Sequence, residues 1–337
     1  MRVWCVLALA LWGCDGGGSG GGGDAGPGGG GGGSLTVIEG PGETIAFAAA
    51  YDRMGRVAGA DGFAAANIGD PAPYVNSEAT TPTDDQALSS LYYETGGLAD
   101  AIGRVRDRRP GLDRDDNVGD RIQQKVALAL TLGFAAEGPA SVRNGARWHA
   151  QLATRVLDQY FLLAAWSGLA ERSAAGFDRA VGVLWDEAGA PHGIGARIQA
   201  ADTACGTTHL ADIKATLAAI RGPFAAELEA SGLPDPLGRL VIAEGALPDY
   251  DAAIDTVEGH LTAGLAVAFL KSMQSELDAP AQAAALAAYD ALAARARASG
   301  VEGIDRVSAL LDTSNPSDVD TAEASRLVAE ALGVTCP

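Results

Sequence analysis

The sequence is short of positive charge, of aromatic rings, of imidazole and of sulfur, and each shortage removes a class of function. Only 24 of 337 residues are lysine or arginine, against 43 aspartates and glutamates, for a formal net charge of −19. Such a surface repels nucleic acid and anionic headgroups and favours cations or basic partners, so no nucleic-acid role is expected. Aromatics are 6% of the chain, too few for the ring-lined platforms of many carbohydrate binders. Runs of alternating β-branched residues are missing, which argues against a sheet. The catalytic signatures are missing too. There is no nucleophile elbow between a strand and a helix, no His-Glu-x-x-His, and no Glu-x-x-His of the kind that di-iron bundles need on two helices. Gly193-Ile194-Gly195 lacks the third glycine and the preceding strand of a dinucleotide loop. A non-enzymatic protein is expected.

What is present begins with a membrane address. Arg2 supplies a positive start, Val3 to Leu11 a short apolar run, and Leu11-Trp12-Gly13-Cys14 places a small residue before a cysteine. The run is too short to span a bilayer and reads as a cleaved signal. Leu11 to Cys14 resembles the lipobox of bacterial lipoproteins, which implies signal cleavage after residue 13 and a diacylated Cys14. Loss of Arg2 leaves the mature chain one charge more negative. Residues 15–34 are nearly all glycine, a composition that buries nothing and acts as a flexible tether with a reach of about 25 Å. The expected organisation is a signal over 1–13, a lipidated cysteine with tether and lead-in over 14–42, and one helical domain over 43–337. The expected location is the bacterial cell envelope, held by lipid on the periplasmic face or the cell surface.

The domain reads as all-α, a multi-helix antiparallel bundle. Hydrophobic residues are 47% of the chain, and the alanine among them favours helix. Apolar residues recur at helical spacing over 43–57, 83–109, 118–137, 141–172, 174–187, 196–204, 208–230, 237–247, 248–277, 280–298, 301–312 and 318–332, with glycine and proline between them. Gly96-Gly97 is a candidate break, Pro223 a candidate kink, and Pro248 suits a first turn. Residues 59–83, with Pro71, Pro73 and Pro82, read as a long loop and a candidate lid. Arg104, Arg106, Arg108 and Arg109 form the one basic cluster, with Asp113, Asp115 and Asp116 placed to neutralise it. An aromatic precedes aspartate at Tyr51-Asp52, Phe177-Asp178, Tyr250-Asp251 and Tyr289-Asp290, a weak internal echo.

Four histidines, His149, His192, His209 and His260, bound any transition-metal site, since imidazole is the commonest ligand for such ions. Asp251, Asp255 and Glu258 line one stripe of a helix that continues to His260, and oxygen-rich stripes suit hard cations. His260 with Asp255 and Glu258 is therefore the first candidate metal set, although residues two apart diverge by about 200° and another helix must complete it. His209 and Asp212, three apart on one helical face, form the second.

Phe177-Asp-Arg-Ala-Val-Gly-Val-Leu-Trp185, Gly193-Ile-Gly-Ala-Arg-Ile198 and Asp202-Thr-Ala-Cys-Gly-Thr207 resemble the iron-assimilating periplasmic proteins of green algae and their bacterial lipoprotein relatives. The resemblance spans the middle third and implies a helical extracytoplasmic protein of iron acquisition, with iron or another divalent cation as ligand. The Gly-x-His-x-x-Glu motif of imelysin-like proteins is absent, because Glu258 and Ala263 stand at its glycine and glutamate positions around His260. A helical scaffold or adaptor for another envelope protein, a basic one by charge, is the alternative.

Of four cysteines, Cys5 leaves with the signal and Cys14 carries lipid. Cys205 and Cys336 then remain in an oxidising compartment, and a disulfide between them is expected over two separate buried thiols.

Overall fold

The computed structural model describes residues 37–40, 42–61, 63–71, 87–136, 145–275 and 277–337. The signal, Cys14, the glycine tether and most of the 59–83 loop lie outside the described residues. The described residues all fall in one compact unit.

The described residues are an all-α, multi-helix bundle with one small two-stranded ribbon. In chain order the helices are α1 (Thr44–Gly59), α2 (Leu88–Tyr93), α3 (Leu98–Arg104), α4 (Val118–Phe134), α5 (Ala146–Arg155), α6 (Leu157–Ala170), α7 (Ala174–Leu184) and α8 (Gly193–Cys205). They continue with α9 (His209–Ser231), α10 (Pro248–Ser272), α11 (Ala279–Ala298), α12 (Val307–Leu311) and α13 (Thr321–Leu332). Several starts carry the side chains that such starts require. Ser173, Asp278 and Asp320 accept the backbone N–H groups of Gly176, Ala281 and Glu323 at 3.0, 2.8 and 2.9 Å, each satisfying a donor the helix cannot.

Three segments depart from the periodic reading. The helix expected across Gly96-Gly97 is two short ones, because Gly97 takes φ +89°, a left-handed conformation that suits glycine and ends a helical run. The long helix expected over 141–172 is divided at Val156 into α5 and α6. No helix covers 237–247. Leu233–Pro234 (β1) and Leu240–Val241 (β2) pair antiparallel there, Leu233 opposite Val241 and Pro234 opposite Leu240. The cause is local: Asp235 Oδ1 accepts the N–H of Leu237 at 2.8 Å and of Arg239 at 2.9 Å, building a turn from the backbone donors a helix would have used.

α10 lies at the centre, packed along α8, α9, α11 and α13. Its length and apolar composition alone would suit a membrane span, but 72% of the relevant window is buried inside the protein, as a core helix should be. A polar cluster joins helices around it. Tyr51 on α1 donates to Asp158 Oδ1 on α6 at 2.5 Å and accepts from Arg155 of α5 at 2.6 Å, while Arg197 on α8 pairs with the same Asp158. Burial, together with the charge of Arg155, pulls the Arg197 pKa down to about 10.

The aromatic–aspartate echo has a structural meaning. All four rings are buried, and the carboxylate beside each one binds a partner at the edge of the core. Asp52 accepts the Gly193 N–H that opens α8, Asp251 accepts Gly245 N–H and Arg172, and Asp290 pairs with Lys125. Asp178, fully buried, accepts three successive backbone N–H groups, from Ile38, Glu39 and Gly40, at 2.6 to 2.7 Å. Residues 37–40, part of the lead-in expected over 35–42, are thus fastened to α7.

Candidate metal centre

The two candidate sets proposed from sequence are rearranged into one. α8 ends at Gly206, whose φ of +68° turns the chain back, and Asp202 organises the turn. Its Oδ1 accepts the Thr207 hydroxyl at 2.5 Å and its Oδ2 the Leu210 N–H at 2.9 Å. This starts α9 at His209, with Asp212 one turn further on. α9 then runs along α10, and His209 meets His260, their Nδ1 atoms 3.2 Å apart. Asp212 Oδ2 stands 4.0 Å from His260 Nδ1 and accepts the Thr208 hydroxyl at 2.9 Å. Both imidazoles are half-buried, so a hydrated ion can reach them from solvent.

Glu258 does not join this group. It turns into the core, where Arg109 Nη1 donates to Oε1 at 2.9 Å, Arg295 Nη2 to Oε2 at 2.7 Å and Thr262 Oγ1 to Oε1 at 3.0 Å. Asp107 completes the cluster with two bonds to the Arg109 guanidinium at 3.0 and 2.8 Å. Burial alone would lower the Arg109 pKa; Asp107 and Glu258 outweigh it and hold the group above its ordinary value. A carboxylate closed by two arginines has no lone pair aimed at a metal. Asp255 is exposed on the solvent side of α10. His192 lies in the core with Nε2 2.7 Å from the Gly182 carbonyl oxygen, and His149 is buried. Of the rest of the basic cluster, Arg108 pairs with Asp116, whereas Arg106 donates to the carbonyls of Gly103 and Val105, and Asp115 pairs instead with Arg121.

Nitrogen ligands at about 2.0–2.1 Å from a tetrahedral ion lie roughly 3.3 Å apart. The 3.2 Å between the imidazoles matches that edge. It matches a hydrogen bond equally well, with one ring donating Nδ1–H to the other, and an ion entering between them takes the place of that proton. The carboxylate, 4.0 Å from His260 Nδ1, must move toward both rings to become a third ligand. Among the described residues no group of three or more His, Cys, Asp or Glu is already arranged to hold a metal ion. Two imidazoles and a carboxylate are nonetheless a donor set that suits iron(II), zinc or manganese better than calcium.

Burial lowers the His149 pKa, and burial with the charge of His260 lowers that of His209 against the opposing pull of Asp202 and Asp212. The unfolded chain keeps both near 6.5, so below that pH it binds protons the folded protein refuses. Stability is full above about pH 6.5 and should decline as the pH falls through it. Urea midpoints at pH 7.5 and 5.5 measure this, and equal midpoints would contradict it.

Sequence reasoning missed the contact between His209 and His260 and the partners of Glu258. Both depend on how helices distant in sequence pack, and neither leaves a local signal. Compared with protein-family models, curated proteins and solved structures, the chain matches none of them.

Proposed function

We propose that this is a membrane-tethered, extracytoplasmic, non-enzymatic helical protein that binds iron or another divalent first-row cation in iron acquisition, through His209, His260 and Asp212. The observation that carries the reading is the meeting of two imidazole Nδ1 atoms at 3.2 Å, with a carboxylate beside them and solvent access. The acidic surface supports it by concentrating cations near the site. The resemblance of the middle third to iron-assimilating proteins, and the lipobox with Cys14, supply the compartment and the choice of iron.

Calorimetric titration of the purified protein with Fe(II), Zn(II), Mn(II) and Ca(II) tests it. Binding tighter than millimolar is expected for the first three, and weaker binding for calcium. His260→Ala should weaken it by at least tenfold, His209→Ala similarly and Asp212→Asn less, whereas Asp255→Asn should leave it unchanged. Unaltered affinity in His260→Ala would remove the site. The adaptor reading draws on Leu128, Leu132 and Phe134, exposed along α4; its test is recovery of one stoichiometric envelope partner, lost when those side chains become polar.

A further inference from the structure

The ribbon that follows α9 is apolar where an exposed turn is ordinarily polar. Leu233, Leu237 and Leu240 are 64%, 77% and 49% exposed, with Leu237 at the turn itself. The backbone donors of the turn are satisfied within the ribbon. Asp235 N–H donates to the Arg239 carbonyl and Gly238 N–H to the Asp235 carbonyl, both at 2.8 Å, and Asp235 Oδ1 takes the two N–H groups of the turn. Pro234 and Pro236 have no N–H to satisfy. The one acid in the ribbon, Asp235, is closed by the one base, Arg239, at 2.7 Å, and Arg239 also reaches Glu171 at 3.0 Å. Moving such a tip out of water strands few polar groups, while three leucines gain.

Its place in the fold says what covers it. Arg221 on α9 donates to the Val37 carbonyl at 3.0 Å, so the chain leading back to the N-terminus departs beside the helix that ends in the ribbon. From Arg221 to the end of α9 is about 15 Å at the helical rise. A flexible chain of about 20 glycine-rich residues would reach about 25 Å, more than that distance. The ribbon can therefore touch the same surface that holds the start of the chain. Once the chain is anchored, a weak contact suffices, because the tether sets a high local concentration.

The geometry points to the leucine-tipped ribbon as a second membrane contact, with Leu233, Leu237 and Leu240 entering the interfacial layer of a zwitterionic bilayer beside the lipid on Cys14. The inference rests on the anchored reading of the N-terminus. The acidic surface opposes anionic lipid, so the contact is apolar and weakens as anionic lipid is added.

The lipidated full-length protein carrying Leu237→Trp, reconstituted into phosphatidylcholine vesicles with brominated acyl chains, tests it. The introduced indole should be quenched beyond the level of the parent protein, and the extra quenching should vanish when Leu233→Asp and Leu240→Asp are added. Circular dichroism checks that this variant folds; if it does not, Leu240→Ser alone should reduce the extra quenching. Quenching no greater than in the parent, or unaffected by the polar substitutions, overturns the proposal. Failure of the anchor is read separately, as absence of labelled fatty acid on Cys14. In that case Cys14→Ser with Leu237→Trp is mixed with the same vesicles at high lipid, where quenching sustains the ribbon contact and its absence overturns it. Quenching that requires an added envelope protein overturns it in favour of a protein partner.

Discussion

Glu258→Ala should be the most damaging single change in the protein, lowering its stability by roughly 3–5 kcal/mol. Arg109 has no solvent exposure and depends on Glu258 and Asp107 for its hydrogen bonds. In wild type the cluster balances, with Arg109 and Arg295 against Asp107 and Glu258. Without Glu258 it carries a buried excess positive charge, and a guanidinium that cannot lose its proton cannot escape by neutralising. The Thr262 hydroxyl loses its acceptor as well. Thermal unfolding of Glu258→Ala and Glu258→Gln measures the effect, with glutamine intermediate because it keeps one acceptor. A midpoint within about a degree of wild type in both would mean that water or neighbouring carboxylates replace Glu258 at no cost. Any metal binding at the proposed site should stay unchanged while the variant remains folded, which separates this carboxylate from His260, two residues along.

Reduction of the disulfide should have an effect of the same size. The sulfur atoms of Cys205 and Cys336 are at bonding distance, with Cα atoms 4.8 Å apart and a sequence separation of 131. Closing a loop of that length stabilises by roughly 4–5 kcal/mol in the chain-entropy model. The bridge fastens the residues after α13 to the end of α8. Apart from it, α13 is held by Ala324, Leu327 and Val328, which are buried, and by the bond from Gln274 to the Cys336 carbonyl at 3.1 Å. Urea unfolding with and without a strong dithiol reductant, and of Cys205→Ser with Cys336→Ser, should show a matching fall in both. The opposite result, unchanged midpoints, would mean that packing alone holds the C-terminus. Hydrogen exchange should localise the loss, with α13 exchanging first.

The helices were legible because alanine-rich segments with apolar residues at helical spacing, separated by glycine and proline, have few other ways to bury themselves. The ribbon was not, because Leu237, Leu240 and Val241 mimic a helical stripe and only the Asp235 side chain settles the competition. His209 and Asp212 could be grouped because one helical turn sets their distance. His260 could not be added, since its neighbour across the helix interface is 51 residues away. Glu258 was grouped with His260 for lack of the opposite information, that an arginine 149 residues earlier inserts beside it. The cysteine pair was legible by elimination, from the expected envelope compartment and a count of four.

The attachment at Asp178 also decides how a pull on the chain is carried. Tension applied upstream of Val37 does not load α1 first. It meets the Arg221 bond to the Val37 carbonyl and then the three N–H bonds to a single carboxylate, from Ile38 to Gly40. These bonds come one after another along the segment, so they peel in turn instead of resisting together in shear. The segment thus behaves as a mechanical fuse that gives way before the core helices bear strain.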